Sequence, residues 1–169
     1  MFEYLAEFLK ILVTGPQRSG TTICAAMIAE DLGYTFHPEE DIGVSDLRKM
    51  EQLFQSEARF VLQCPSLMRY AEEVSAPDTA VVLMCRATED IIASEERIEW
   101  THEPVELARY GLTKGPISVV KYNYWIDRQR DRIINVFDVE YESLTSHPLW
   151  VPKERRVGFE RRQISEKPD

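Results

Sequence analysis

Residues 11–22, Ile-Leu-Val-Thr-Gly-Pro-Gln-Arg-Ser-Gly-Thr-Thr, run an apolar strand pattern into a turn bracketed by two glycines and straight on into a helical pattern. This layout constrains the fold more than any other stretch. A strand that hands the chain through glycines to a helix N-terminus builds a cradle for an anion. The common nucleotide loop reads G-x-x-x-x-G-K-[ST]. Here Gly15 and Gly20 hold that spacing and Thr22 holds the hydroxyl position, but Thr21 stands where the lysine belongs. The cation is Arg18, inside the loop. Gly15 is expected to leave the strand in a conformation closed to other residues, and Gly20 to let the backbone approach an anion closely. The amides around Ser19 to Thr22 would point at a phosphate from the positive end of the helix. Thr22 would add a hydroxyl donor and Arg18 a planar fork for two oxygens. An ordinary strand–turn–helix with Ser or Thr as N-caps is the plain alternative.

A second segment, Ala-Val-Val-Leu-Met-Cys-Arg-Ala-Thr-Glu-Asp-Ile-Ile-Ala-Ser over 80–94, reads as a buried strand ending at Arg86. Ligands bind at such strand ends in open parallel sheets. With a helix starting near Thr88, Ser94 lies about two turns along it and could face the same anion as Arg86. The structural alternative pairs Arg86 with a nearby carboxylate and leaves Ser94 on a helix surface.

The loop Gly-Pro-Gln-Arg-Ser-Gly-Thr-Thr resembles the 5′-phosphosulfate-binding loop, P-x-[RK]-S-G-T-T, of the PAPS-dependent sulfotransferases. The second segment is similar to that family's 3′-phosphate signature, R-x-P-x-D-x-x-x-S, with Arg86, Asp90 and Ser94 in register and Thr88 in place of the proline. Threonine is expected to cap the helix that proline would start. The resemblance implies that Arg18, Ser19, Gly20, Thr21, Thr22, Arg86 and Ser94 bind 3′-phosphoadenosine 5′-phosphosulfate (PAPS) and its product 3′,5′-adenosine bisphosphate, with no metal required. Weaker similarities lie in Phe60–Pro65, in Val139–Pro148, which resembles the family's Y-E-x-L-x-x-x-P segment, and in Arg155-Arg156-Val157-Gly158, which resembles an R-K-G phosphate clasp. Arg155 and Arg156 are candidate cofactor ligands on that ground.

Sulfuryl transfer needs a base for the acceptor hydroxyl or amine, and donors where charge builds on the bridging oxygen. Many members of the resembled family use a histidine after the third-strand lysine; here Pro65 occupies that region and Gln63 stands for the lysine. Other members carry a glutamate after the first helix, and the segment resembling theirs is Tyr34–Asp41. Glu40 or Glu39 is therefore the candidate base, with Arg18 and Gln63 assisting the leaving group. Three acids in a row also read as a solvated turn. His102 is the competing base, while His37 and His147 precede prolines and read as turn residues.

A chain of 169 residues is most simply one domain over 1–169. The formal net charge of −9 argues against a general nucleic-acid partner, which needs a basic footprint. It also requires that Arg18, Arg86 and Arg155 or Arg156 focus positive potential in one cleft, with the acids elsewhere. No apolar stretch reaches membrane-helix length, and the N-terminus lacks a signal-peptide pattern, which favours the cytoplasm. Its first ten residues read as a short amphipathic helix or a lead-in to the first strand. Cys24, Cys64 and Cys85 lack metal spacing and read as buried thiols, with Cys64 and Cys85 at the ends of adjacent strands.

Strands are expected near 11–14, 34–37, 60–63, 80–85 and 136–141, and helices near 20–32, 44–57, 66–75, 88–99 and 116–133. The strand–helix–strand order implies parallel pairing. The fold class is a three-layer α/β fold of the P-loop type, with a mainly parallel central sheet flanked by helices. Residues 100–116 form the candidate lid or acceptor region, and the tail over 161–169 is expected to fray. Tyr122, Tyr124 and Trp125 are expected to pack rather than bind. The expected activity is sulfuryl transfer to a hydroxyl or amine of a small-molecule, sugar or peptide acceptor, with a homo-oligomer as one way to complete a small pocket. A P-loop kinase using ATP, and a nucleotide binder without turnover, are the alternatives.

Overall fold

Lys10–Thr14 forms β1, the middle strand of the sheet, and its position follows from its side chains. Ile11, Leu12 and Val13 are all fully buried, so both faces of this strand must be covered. In the computed structural model, which describes residues 1–43, 46–56, 58–113 and 115–151, both faces are. Ile11 and Val13 join Cys24, Met27 and Ile28 of helix α1 (Thr21–Leu32) and the N-terminal Phe2, Leu5 and Phe8 in one core. Leu12 joins Met50 and Phe54 of α3 (Leu47–Gln55), Leu67 and Met68, and Tyr122 and Ile126 of α6 (Ile117–Gln129) in the other. Each such large apolar side chain contributes roughly 1.5–3 kcal/mol relative to exposure.

Strands β2 (Thr35–His37), β3 (Phe60–Gln63), β4 (Thr79–Cys85) and β5 (Val136–Glu140) complete a fully parallel sheet in the order β2-β3-β1-β4-β5. The expected three-layer α/β architecture is therefore the observed one. Helices α2 (Glu39–Ile42), α4 (Thr88–Arg97) and α5 (Pro104–Arg109) occupy the connections after β2 and β4. Short 3-10 turns cover Glu3–Leu5, Pro65–Tyr70, Arg130–Arg132 and Tyr141–Ser146. Among the described residues no helix is long and apolar enough to cross a membrane.

Several expectations change. The helix expected over 66–75 is only a 3-10 turn, because Gln129 of α6 takes the backbone groups that would extend it. Its Nε2 donates to the Met68 carbonyl and its Oε1 accepts from the Glu72 N–H at 3.0 Å. Cys64 and Cys85 do not end adjacent strands, since β1 lies between β3 and β4. The thiols are free; burial pushes those of Cys24 and Cys64 up to about 12, which keeps them protonated. The expected helix over 44–57 is observed over Leu47–Gln55, with the Asp46 carboxylate accepting from the Arg48 and Lys49 N–H groups as its N-cap; Val44 and Glu57 lie outside the described residues. Within the candidate lid or acceptor region over 100–116 lies α5, a helix not among those expected, with Pro104 in its first turn.

His147 is a turn residue as expected, closing the 3-10 turn Tyr141–Ser146, but it does not face solvent. It is buried, its Nδ1 accepts the Leu149 N–H at 3.1 Å, and its Nε2 therefore donates to Asp31 at 3.0 Å. Asp31 also accepts from the Phe2 N–H at 3.0 Å and from the Met1 amino group. Desolvation opposes ionisation, but these hydrogen bonds outweigh it and hold the carboxyl down to about 2. A depressed carboxyl contributes stability that is complete above its unfolded value near pH 4 and is lost as pH falls through the folded value. Asp31→Asn is expected to lower the melting temperature by a few degrees at neutral pH. The gap to the wild type should close by about pH 2 in a calorimetric pH series.

Candidate functional site

The chain leaves β1 toward α1 on one face, whereas β3 leads into the Pro65–Tyr70 turn and α6 packs on the opposite face. The connections diverge around β1, and the C-terminal end of that strand is the switch point at which open parallel sheets form a crevice for ligands. The glycine-bracketed loop lines this crevice, joined by Gln63 from the end of β3 and Arg86 just past β4.

Each residue of the loop has a distinct local reason. A Cβ on Gly15 would lie 2.9 Å from Met84 Cβ and 3.1 Å from the Met84 carbonyl, so this glycine is required by the close approach of β4. Arg18 adopts φ +67°, a left-handed conformation that costs a non-glycine residue roughly 1–2 kcal/mol. Gly20 is the N-cap of α1 at φ +96°, with no side-chain cap, so its amide and those of the first turn are left for another acceptor. Ser19 is fully buried, yet its Oγ has no hydrogen-bond partner among the described residues. Thr21 is buried at the start of α1 and Thr22 is exposed beside it.

The two sequence motifs meet. Arg18 Nε donates to Ser94 Oγ at 3.1 Å, and Arg86 Nη1 donates to the Arg18 carbonyl at 2.8 Å. Ser94 is buried on α4, on the helix starting at Thr88 as expected; Ala87, not Thr88, is the N-cap, so Thr88 stands at the first helical position as a proline would. Asp90 is exposed on the first turn of α4. Arg86 Nε is buried without a hydrogen-bond partner among the described residues, one donor of a fork whose other arm fixes the loop. Sequence reasoning missed Tyr141. The Arg86 guanidinium lies 4.1 Å over its ring, and a Cβ on Gly20 would fall 2.5 Å from Tyr141 Cδ2. The close approach that Gly20 permits in this structure is thus to an aromatic ring. The only signal was the tyrosine inside the Val139–Pro148 segment, whose distance in sequence hid its contact with the loop.

On the other flank, Gln63 Nε2 donates to Thr21 Oγ1 at 3.2 Å while Gln63 Oε1 accepts from the Glu39 N–H at 3.4 Å. Glu39 Oε1 accepts from the Ser66 N–H at 3.2 Å and lies 3.5 Å from the Cys64 thiol. Glu39 and Glu40 thus belong to a short helix, not a loose turn, and Glu39 lies at the crevice rather than away from it. Glu40 is exposed, and Asp41 pairs with His37 Nδ1 at 3.0 Å. His102 faces α4. Its Nε2 lies 3.7 Å from the Glu95 carboxylate, whose other oxygen accepts from Ser118 Oγ at 2.7 Å, joining α4 to α6. Tyr122 is buried as expected, whereas Tyr124 is partly exposed under Arg128. Arg155, Arg156 and the 161–169 tail lie outside the described residues.

No protein-family model matches this chain, and no curated protein matches it. Among solved structures it is similar to shikimate kinase from Acinetobacter baumannii in complex with shikimate, at 14% identity over 83% of this chain and 87% of that one, with a TM-score of 0.57. Weaker matches include a gluconokinase from Sinorhizobium meliloti 1021, at 17% identity over 80% of this chain and 83% of that one, TM-score 0.47. Another is a deoxyadenosine kinase from M. mycoides with bound dCTP, at 14% identity over 79% and 90%, TM-score 0.47. The first of these likenesses shows the fold alone, the three-layer α/β fold that this chain shares with that shikimate kinase.

The contact between Gly20 and Tyr141 gives a direct test. Gly20→Ala should destabilise by about 1–3 kcal/mol through overpacking and left-handed strain. In a Tyr141→Ala background the same change should cost less, by about 1 kcal/mol in a double-mutant cycle read from denaturant midpoints.

Proposed function

We propose that this crevice binds an adenylate bearing two anionic ends, and that the protein is a sulfotransferase using PAPS as co-substrate. One observation carries the reading: the loop and the mid-chain segment, independent resemblances in the sequence, share a cleft in which Arg18 reaches Ser94 and Arg86 reaches the Arg18 carbonyl. The residues present fit such a ligand. Among the described residues, Ser19 Oγ and Arg86 Nε are buried donors without hydrogen-bond partners, each costing about 1–3 kcal/mol until an acceptor arrives.

The co-substrate supplies an activated sulfuryl group, whose bond to the 5′-phosphate oxygen breaks as the bond from sulfur to the acceptor oxygen or nitrogen forms. Arg18 and the first amides of α1 would stabilise the charge gathering on the departing phosphate. Glu39 or Glu40 would take the acceptor's proton. Arg86 and Ser94 would hold the 3′-phosphate, setting the distance between the nucleotide and the loop. Since a sulfuryl group carries less negative charge than a phosphoryl group, a loop with one arginine and no lysine is better matched to it. The acceptor is a hydroxyl or amine of a small molecule, sugar or peptide.

Phosphoryl transfer from ATP is the second reading, and the fold likeness to a kinase favours it. It would draw on Glu39, whose backbone is one glutamine away from Thr21, as the acidic group near the loop. Against it, Thr21 replaces the loop lysine, and the central strands β1, β3 and β4 end in Thr14, Gln63 and Cys85 rather than in an acid. Asp138 is engaged by Arg130 at 3.0 Å and 2.5 Å.

Thermal shift separates the readings. A saturating 3′,5′-adenosine bisphosphate should raise the melting temperature by several degrees, since a ligand at about 100 times its Kd contributes roughly 2.7 kcal/mol. Arg86→Met should abolish the rise. A shift with ATP and Mg²⁺ but none with the bisphosphate would establish the kinase reading instead.

A further inference from the structure

The structure assigns Gln63 a role that its place as a lysine substitute does not suggest: it is a positioning residue that aims the Thr21 hydroxyl proton at the anion and ties the loop to the helix carrying Glu39. The inference rests on the reading that the loop holds an anion.

The argument is one of hydrogen-bond direction. The Glu39 N–H can only donate, so the group facing it at 3.4 Å must be Gln63 Oε1, which fixes the amide with Nε2 toward Thr21. That Nε2–H donates to Thr21 Oγ1 at 3.2 Å. A threonine hydroxyl has one proton and two lone pairs, and Gln63 uses a lone pair. The proton is left to point away from Gln63, and Thr21 stands in the first turn of α1, beside the amides of the cradle. Gln63 and Thr21 are both buried, so neither direction is easily exchanged with water.

A lysine at position 63 could donate to Thr21 but could not accept from Glu39. A glutamine does both, and so fixes the first residue of α2 relative to the anion loop. Glu39 Oε1 is bound in turn by the Ser66 N–H. Thr21, Gln63, Glu39 and Ser66 thus form a chain of fixed donors and acceptors from the cradle to the side where an acceptor would be deprotonated. Gln63 then acts by orientation, without itself touching the departing oxygen.

The test uses three forms of the full chain, wild type, Gln63→Glu and Gln63→Met, titrated calorimetrically with 3′,5′-adenosine bisphosphate and separately with pyrophosphate. An ionised glutamate cannot donate, so Thr21 would turn its proton toward residue 63 and away from the ligand. Gln63→Glu should therefore weaken both ligands by about tenfold near pH 7.5, the loss of one buried hydrogen bond. A protonated carboxyl has one donor and one acceptor, as the amide has, and burial raises its pKa. Relative to wild type at the same pH, the variant should recover near pH 5. Gln63→Met, of similar length, should be weak at both pH values, and its melting curve reports whether the fold survives.

A Gln63→Glu variant that binds like wild type near pH 7.5, or a defect that acid does not relieve, overturns the inference. Wild-type binding of pyrophosphate but not of the bisphosphate would overturn the nucleotide reading while the pyrophosphate series still decides the role of Gln63. Binding of neither ligand overturns both.

Discussion

The cleft depends on a strained backbone held in place by one arginine. Arg18 sits at φ +67°, where a β-carbon costs roughly 1–2 kcal/mol, and nothing in its own sequence compensates that cost. The hydrogen bond from Arg86 to the Arg18 carbonyl supplies one compensation, and it is charge-assisted. The stacking of the same guanidinium on Tyr141 supplies another, and Tyr141 in turn closes the space above Gly20. Three strands therefore converge on one loop: β1 delivers it, Arg86 past β4 pins it, and Tyr141 past β5 covers it. The loop's shape is a tertiary property, which is why a glycine at position 18 is not needed and an arginine can stand there.

The overall charge of −9 does not act on the loop as a simple sum. Fields from exposed carboxylates are screened beyond about 8 Å at physiological salt, whereas Arg18 and Arg86 are half-buried at the crevice itself. Several acids are also engaged locally: Asp31 with His147, Asp138 with Arg130, Glu106 with Lys121 and Glu72 with Arg132. Glu39 is a carboxylate close to the loop, its backbone one glutamine side chain away from Thr21.

The sheet was legible because its signals are local. Runs of buried apolar residues fixed β1, β3 and β4 to within one or two residues, and the two glycines marked the turn between β1 and α1. The lost helix after Pro65 was not legible, because its cause is the side chain of Gln129 more than fifty residues away. The order of strands escaped for the same reason: adjacency of β3 and β4 in sequence says nothing of β1 passing between them. At the site, Arg18, Arg86 and Ser94 could be named from motif spacing. Tyr141 could not, since its function lies in a contact with Gly20 and Arg86 rather than in any local pattern.

The fold and the loop chemistry point in different directions, and the physical question is which constrains the reaction more. The shared fold brings a helix N-terminus beyond a central strand, here α1 after β1, where backbone amides can meet an anion. It does not guarantee how much charge that place can neutralise. In this chain the position of the loop lysine holds a hydroxyl, the end of β3 holds a neutral amide, and that amide spends both its ends on orienting its neighbours. The cationic charge on the loop itself is Arg18, whose Nε is turned toward Ser94 and the second motif. Such a loop carries its positive charge on arginine instead of a loop lysine, with Arg18 and Arg86 brought together beside one helix N-terminus by Ser94 and the Arg18 carbonyl.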